Sequence, residues 1–137
     1  PRKPIPLRQR WLSVVTRAPG EVLLQKRPDS GIWGGLWSPP EFETASAAKA
    51  WITNTLSLPA ERCRIDEPFH HTFTHFKLEA HPVRAQCVAN HIETIDVESD
   101  VEHLQWFALH PPPTVGLPAP IVRLLAQLEK ESSPRSN

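Results

Sequence analysis

Methionine and tyrosine are absent from this chain, and cysteine occurs only twice, at Cys63 and Cys87. Two isolated cysteines cannot make a disulfide framework, and neither sits in a Cys-x-x-Cys zinc pattern, so a reducing, cytoplasmic setting is expected. Long apolar runs are lacking too. None approaches the roughly 18 residues of a membrane-spanning helix, and no signal-peptide architecture opens the chain, so neither a membrane nor export is expected. Net charge is zero, with 15 basic and 15 acidic residues, so no global field draws the chain toward nucleic acid or a membrane surface. The charge is unevenly placed, however. Arg2, Lys3, Arg8, Arg10, Arg17, Lys26 and Arg27 face only Glu21 in residues 1–27, whereas Glu93, Asp96, Glu98, Asp100 and Glu102 have no basic neighbour in residues 93–102. One part of the surface suits polyanions and another repels them.

Glycine is scarce, and three of the five glycines, Gly31, Gly34 and Gly35, fall in one stretch between Leu24 and Phe42. Trp33 and Trp37 flank them. Glycine permits positive φ and close backbone approach, and tryptophan supplies a large rigid surface. The stretch therefore reads as a defined, packed loop, in contrast to a flexible linker. At 137 residues the chain is one domain long and needs no staple to sustain a core. Residues 1–7, rich in proline and basic residues, read as a linker remnant, 8–130 as the domain, and 131–137 as a disordered tail.

Along the chain, residues 8–17 and 21–27 are apolar-rich and are separated by Ala18-Pro19-Gly20, which predicts a β-hairpin. Thr44 is placed to cap a helix ending near Leu56, whose apolar stripe is Ala47, Ala48, Trp51, Ile52 and Leu56. Arg64–Thr72 and Phe76–Val88 read as strands, the second alternating Phe76, Leu78, Ala80 against Lys77, Glu79, His81. Between them Phe73-Thr74-His75 makes a hairpin tip without glycine or proline, which points to side chains chosen for another purpose. A polar loop spans about 90–102, His103–Leu109 is a short strand, and Pro118-Ala119-Pro120 opens a last helix with Ile121, Leu124, Leu125 and Leu128 on one face. The expected architecture is α/β (α+β), a mixed β-sheet with two packed helices.

Chemistry-bearing residues are few. His70, His71, His75 and His81 lie close in sequence, but strand alternation lets His71 and His75 share a face while turning His70 away. No recognisable ligand spacing accompanies them, so no metal site is expected. Ser13, Ser30 and Ser38 lack the strand–turn–helix setting of a nucleophilic serine. Glu41 and Glu43 share a strand face and form a possible carboxylate pair for a divalent ion, although such pairs more often face solvent.

The frame around that pair resembles a Nudix domain. The Nudix signature runs glycine, five residues, glutamate, seven residues, then Arg-Glu-aliphatic-x-Glu-Glu-x-Gly. Gly35 and Glu41 fit its opening, but Lys49 and Ala50 stand where Arg-Glu is expected, Thr53 and Asn54 where the magnesium glutamates are expected, and Leu56 where glycine is expected. The resemblance thus implies a Nudix-like fold with a degenerate box and no catalytic residue, because nothing on the helix balances Mg²⁺ charge.

Three segments resemble the C-terminal domain of the MutY-type adenine DNA glycosylases. They are LLQKRPDSGIWGGLWSPPEF, FHHTFTHFKL and PPPTVGLPAPIVRLLAQL, which together cover most of residues 8–128 in order. The resemblance implies a module that reads 8-oxoguanine opposite adenine in double-stranded DNA through Phe73, Thr74 and His75. Arg27, Ser30, Gly31, Trp33, Gly34 and Gly35 would form its supporting loop. The family carries serine where this chain has Thr74; the hydroxyl is kept and a methyl is added. The family's glycosidase activity, its catalytic acids and its 4Fe–4S cluster belong to an N-terminal domain, so this fragment needs no cofactor, and the expected partners are lesion DNA and the catalytic domain of the same chain, with the module monomeric. The alternatives are an active Nudix hydrolase of 8-oxo-dGTP-like nucleotides using Glu41 and Glu43, and a protein-interaction module built on its proline segments.

Overall fold

The computed structural model describes residues 5–87 and 104–132. Strand β1 (Leu7–Arg17) turns at Ala18-Pro19-Gly20 into β2 (Glu21–Lys26), with Arg17 opposite Glu21. Two short strands follow, β3 (Trp37–Ser38) on β2 and β4 (Glu41–Phe42) on β1. Helix α1 (Ala45–Leu56) comes next, then a 3-10 turn at Ala60–Arg62, β5 (Arg64–Ile65), β6 (Phe69–Thr72), β7 (Lys77–Cys87), β8 (Leu104–Ala108) and α2 (Ala119–Ser132). The sheet is mixed. β1 and β7 run parallel from Leu7↔Lys77 to Arg17↔Cys87, and the other pairings are antiparallel.

Alternation along the two long strands puts a core on each sheet face. Leu12, Val14, Val22, Leu24, Leu78 and Ala80 pack with Ile121, Leu125 and Leu128 of α2. Val15, Leu23, Val83 and Ala85 pack with Ala48, Ile52 and Leu56 of α1. Each fully buried aliphatic contributes about 1.5–3 kcal/mol, so both helices are fixed by tertiary packing. Helix α1 starts where Thr44 is extended and its Oγ1 accepts from the Ala47 N–H at 3.0 Å. It ends at Ser57, in the left-handed region at φ 56°. Ser13 is completely buried between β1 and α1, and its hydroxyl donates to the Ala48 carbonyl at 3.1 Å.

Several expectations need correction. The single strand over Arg64–Thr72 is two strands, because the chain leaves the β7 edge at Glu67–Pro68, after the Asp66 N–H has donated to the Pro82 carbonyl at 2.9 Å, and returns at Phe69. Ala47 is exposed, so the buried stripe of α1 is narrower than its apolar residues suggest. The first strand begins at Leu7, already paired with Lys77, inside the segment read as linker. The last helix runs through Glu131 to Ser132, two residues into the segment read as tail. The polar loop with its acidic residues lies outside the described residues. Among the described residues no helix is long and apolar enough to cross a membrane.

Candidate nucleic-acid interface at one end of the sheet

The tip between β6 and β7 is closed by the Phe73 N–H donating to the Phe76 carbonyl at 2.8 Å. Its rigidity comes from rings. Phe73 stacks on Phe76 at 4.6 Å between centroids, His71 meets Phe73 edge-on at 4.7 Å, and Trp33 leans against Phe73 at 6.1 Å. The Arg8 guanidinium lies 4.4 Å above the Phe76 ring, a cation–π arrangement that extends the stack from β1. Phe73 and Phe76 are half-buried against the α2-side core. Thr74 and His75 are exposed, and among the described residues their side chains have no hydrogen bond or ion pair. Aromatic contacts add roughly 0.5–1.5 kcal/mol each beyond area burial. The tip therefore presents one hydroxyl and one imidazole from a packed base.

The Trp33 loop is fastened by its backbone and by Arg27. The Gly35 N–H reaches the Pro28 carbonyl at 2.9 Å, Leu36 N–H the Trp33 carbonyl at 3.0 Å, and Arg27 N–H the Leu36 carbonyl at 2.8 Å. Gly34 is obligatory, since a Cβ there would stand 2.3 Å from the Asp29 carbonyl oxygen. The guanidinium of Arg27 donates to the Ile32 carbonyl at 2.7 Å, to the Ser38 hydroxyl at 3.1 Å and to Glu41. Arg27 and Gly34 thus shape the loop, and Trp33 carries it to the tip. Ser30 and Gly31 are exposed and make no ring or hydrogen-bond contact with the tip among the described residues.

The carboxylate pair is not brought together as a site. Glu41 is half-buried between two guanidiniums, with Arg10 Nε at 2.8 Å and Arg27 Nη2 on its other oxygen. Glu43 points to solvent, 84 % exposed, with Arg10 3.9 Å away. Two fixed positive charges on Glu41 disfavour a divalent cation there. On α1, the Thr53 hydroxyl donates to the Ala50 carbonyl of its own helix at 3.0 Å, and Asn54 is exposed.

The histidines divide between the two sheet faces. His71 joins the tip's rings, whereas His70 and His81 approach Glu79 on the other face, at 2.9 and 3.1 Å. Gln9 donates to Glu79 at 2.7 Å. Hydrogen bonds from Gln9 and then His70, with His81 beyond them, hold the Glu79 carboxyl well below the ordinary range, at about 2. His81 also stacks on Trp11 at 4.7 Å. Sequence reasoning missed Arg8 and Phe76 as parts of the tip and Arg10 as the partner of Glu41. The spacing of Arg8 and Arg10, alternate residues on one strand face, was the available signal.

This sandwich of a mixed sheet between two helices, with a glycine-rich loop after β2 and a helix after β4, is that of a NUDIX domain. The NUDIX domain family model matches residues 11–127, and the chain belongs to that family. It is similar to an adenine DNA glycosylase of Buchnera aphidicola subsp. Baizongia pistaciae, 25 % identical over 126 residues that make up 92 % of this chain and 34 % of that protein. The chain therefore spans about a third of the length of the curated relatives it matches. Among solved structures it resembles the C-terminal domain of mouse MUTYH, determined in complex with human PCNA, with a TM-score of 0.62, 15 % identity and coverage of 94 % of this chain and 93 % of that one. It also resembles a MutT NUDIX hydrolase from Burkholderia pseudomallei, with a TM-score of 0.62, 24 % identity and coverage of 88 % and 97 %. At these identities the solved structures speak to the fold.

Proposed function

We propose that this chain is the lesion-reading module of an adenine DNA glycosylase, recognising 8-oxoguanine opposite adenine. The observation that carries the reading is the tip itself, a hydroxyl and an imidazole left exposed on a base of stacked rings. 8-Oxoguanine differs from guanine by a C8 carbonyl and by an N–H at N7, where guanine has an acceptor. The Thr74 hydroxyl accepts from N7–H while a backbone N–H beside it donates to O8, and guanine reverses the first of these contacts. His75 takes the base edge or an adjoining phosphate, and Phe73 anchors the tip. The similarity to adenine DNA glycosylases over nearly the whole chain supports the same reading.

In this account the module recognises and does not cut. The adenine-excising groups and the 4Fe–4S cluster belong to the remainder of a longer, cytoplasmic protein, which flips adenine from the opposite strand. A neutral module binds DNA weakly by itself, since phosphate neutralisation supplies most non-specific affinity; tethering to the catalytic domain raises its effective concentration. The module acts as a monomer.

Binding to two duplexes that differ only in 8-oxoguanine or guanine opposite an uncleavable adenine analogue tests the reading. The oxidised duplex binds more tightly, and Thr74→Ala removes a preference of about 1–3 kcal/mol, roughly 5- to 150-fold. Equal affinity of the wild-type chain for both duplexes contradicts it. Magnesium-dependent release of pyrophosphate from 8-oxo-dGTP would establish the hydrolase reading in its place.

A further inference from the structure

A second feature lies toward the other end of β7. Arg84, Ala85 and Gln86 of that strand, Thr16 of β1, Arg64 of β5 and Arg62 of the 3-10 turn line an open cavity of about 250 Å³. Arg84 stands seven residues beyond Lys77, where β7 leaves the tip, or about 23 Å along a strand. The two features are therefore separate.

The lining is one-sided in its chemistry. Three guanidiniums, a hydroxyl and a carboxamide can all donate hydrogen bonds, and no carboxylate is among the described lining residues. Arg84 is held rigid, with Asp66 at 3.2 Å and Glu131 at 2.7 Å from its Nη1. Arg64 shares the same Asp66 through its Nε at 3.2 Å, but its side chain is 67 % exposed. Arg62 is exposed and has no ion pair among the described residues. Three cations thus stand beside two carboxylates placed outside the lining, and the two exposed arginines flank a fixed third. The antiparallel pairing that sets Arg64 opposite Arg84 makes this arrangement a product of the fold.

We infer that this cavity is a binding site for a phosphate-class oxyanion, gripped by Arg62 and Arg64 over a floor of Arg84, Thr16 and Gln86. Guanidinium forks match the oxygens of phosphate in a bidentate manner, and a phosphate offers more acceptors than a carboxylate to a lining with this many donors. Such an oxyanion has two sources, a free phosphorylated small molecule or a phosphodiester of a nucleic-acid backbone. The inference is independent of lesion reading at the tip.

Titrating the 137-residue chain with pyrophosphate while following amide shifts tests it. Shifts are expected at Thr16, Arg62, Arg64, Arg84 and Gln86, leaving Phe73–His75 unmoved. The double variant Arg62→Gln/Arg64→Gln, exposed at both positions, is expected to weaken binding by about tenfold or more while its remaining spectrum stays that of the folded chain. An undamaged duplex provides the second arm. Shifts at the same residues assign the site to a nucleic-acid backbone, and their absence beside a pyrophosphate response assigns it to a free phosphorylated molecule. Pyrophosphate that moves none of these signals, or binds the double variant equally well, overturns the inference. So does a response that appears only after Glu93, Asp96 and Glu98 are neutralised, because the arginines would then be satisfied from within the chain.

Discussion

The Trp33 loop and the Phe73–His75 tip touch through their rings, yet they are held in opposite ways. The loop is tied by backbone hydrogen bonds, by a glycine that admits no Cβ, and by an arginine whose three guanidinium nitrogens are all engaged. Among the described residues the tip has one backbone hydrogen bond and a base of stacked aromatic rings, and the Thr74 and His75 side chains are left uncommitted. A surface that must meet a ligand keeps its hydrogen-bonding groups free, and its neighbour supplies the rigidity. The contrast is one of division of labour within a few ångströms.

Removing the loop's fastening should have the largest effect. Arg27→Ala removes the donor to the Ile32 carbonyl, the donor to the Ser38 hydroxyl and one of the two guanidiniums on half-buried Glu41, and should cost about 2–4 kcal/mol in urea denaturation. Arg27→Lys should recover only part of this, because an ammonium cannot span three acceptors. Gly34→Ala should cost about 1–3 kcal/mol, since the Asp29 carbonyl must move to admit a methyl group. The opposite sheet face should respond to pH. The Glu79 carboxyl, at about 2 when folded, lies below its ordinary 4.5. Its contribution is therefore fully present above the ordinary value and is lost as pH falls toward about 2. Glu79→Gln should flatten stability against pH across that acid window, as followed by denaturation midpoints. The smallest stability effect belongs to the tip. Thr74→Ala should stay within about 0.5 kcal/mol of the wild-type chain, so any loss of lesion preference in that variant reports on recognition alone.

Much of this division was legible in the sequence because it is local. Turn residues at Ala18-Pro19-Gly20, the Thr44 cap and the alternation from Phe76 to His81 each state a structure within a few residues. The glycine spacing marked the loop, and a tip without turn residues marked the candidate site. The parallel pairing of β1 with β7 was not legible, because those strands are some 70 residues apart and nothing local records their register. Everything that depends on that pairing was hidden with it, including Arg8 over Phe76 and Gln9 on Glu79. The place of Glu41 was hidden likewise. Its spacing from Glu43 suggested a metal pair, whereas Arg10 and Arg27, from two other strand regions, claim it. The break between β5 and β6 was hidden because Ile65-Asp66-Glu67-Pro68 carries no glycine and only a single proline to mark it.

The central claim is that the tip reads the oxidised base directly. An amide chemical-shift titration with the two duplexes, one containing 8-oxoguanine and the other guanine opposite an uncleavable adenine analogue, tests it at residue resolution. The account predicts shifts concentrated at Phe73–His75 and along the Gly31–Trp37 loop, larger for the oxidised duplex. Equal and diffuse shifts, centred on the basic residues of the first strand, would contradict it and reduce the module to a non-specific clamp.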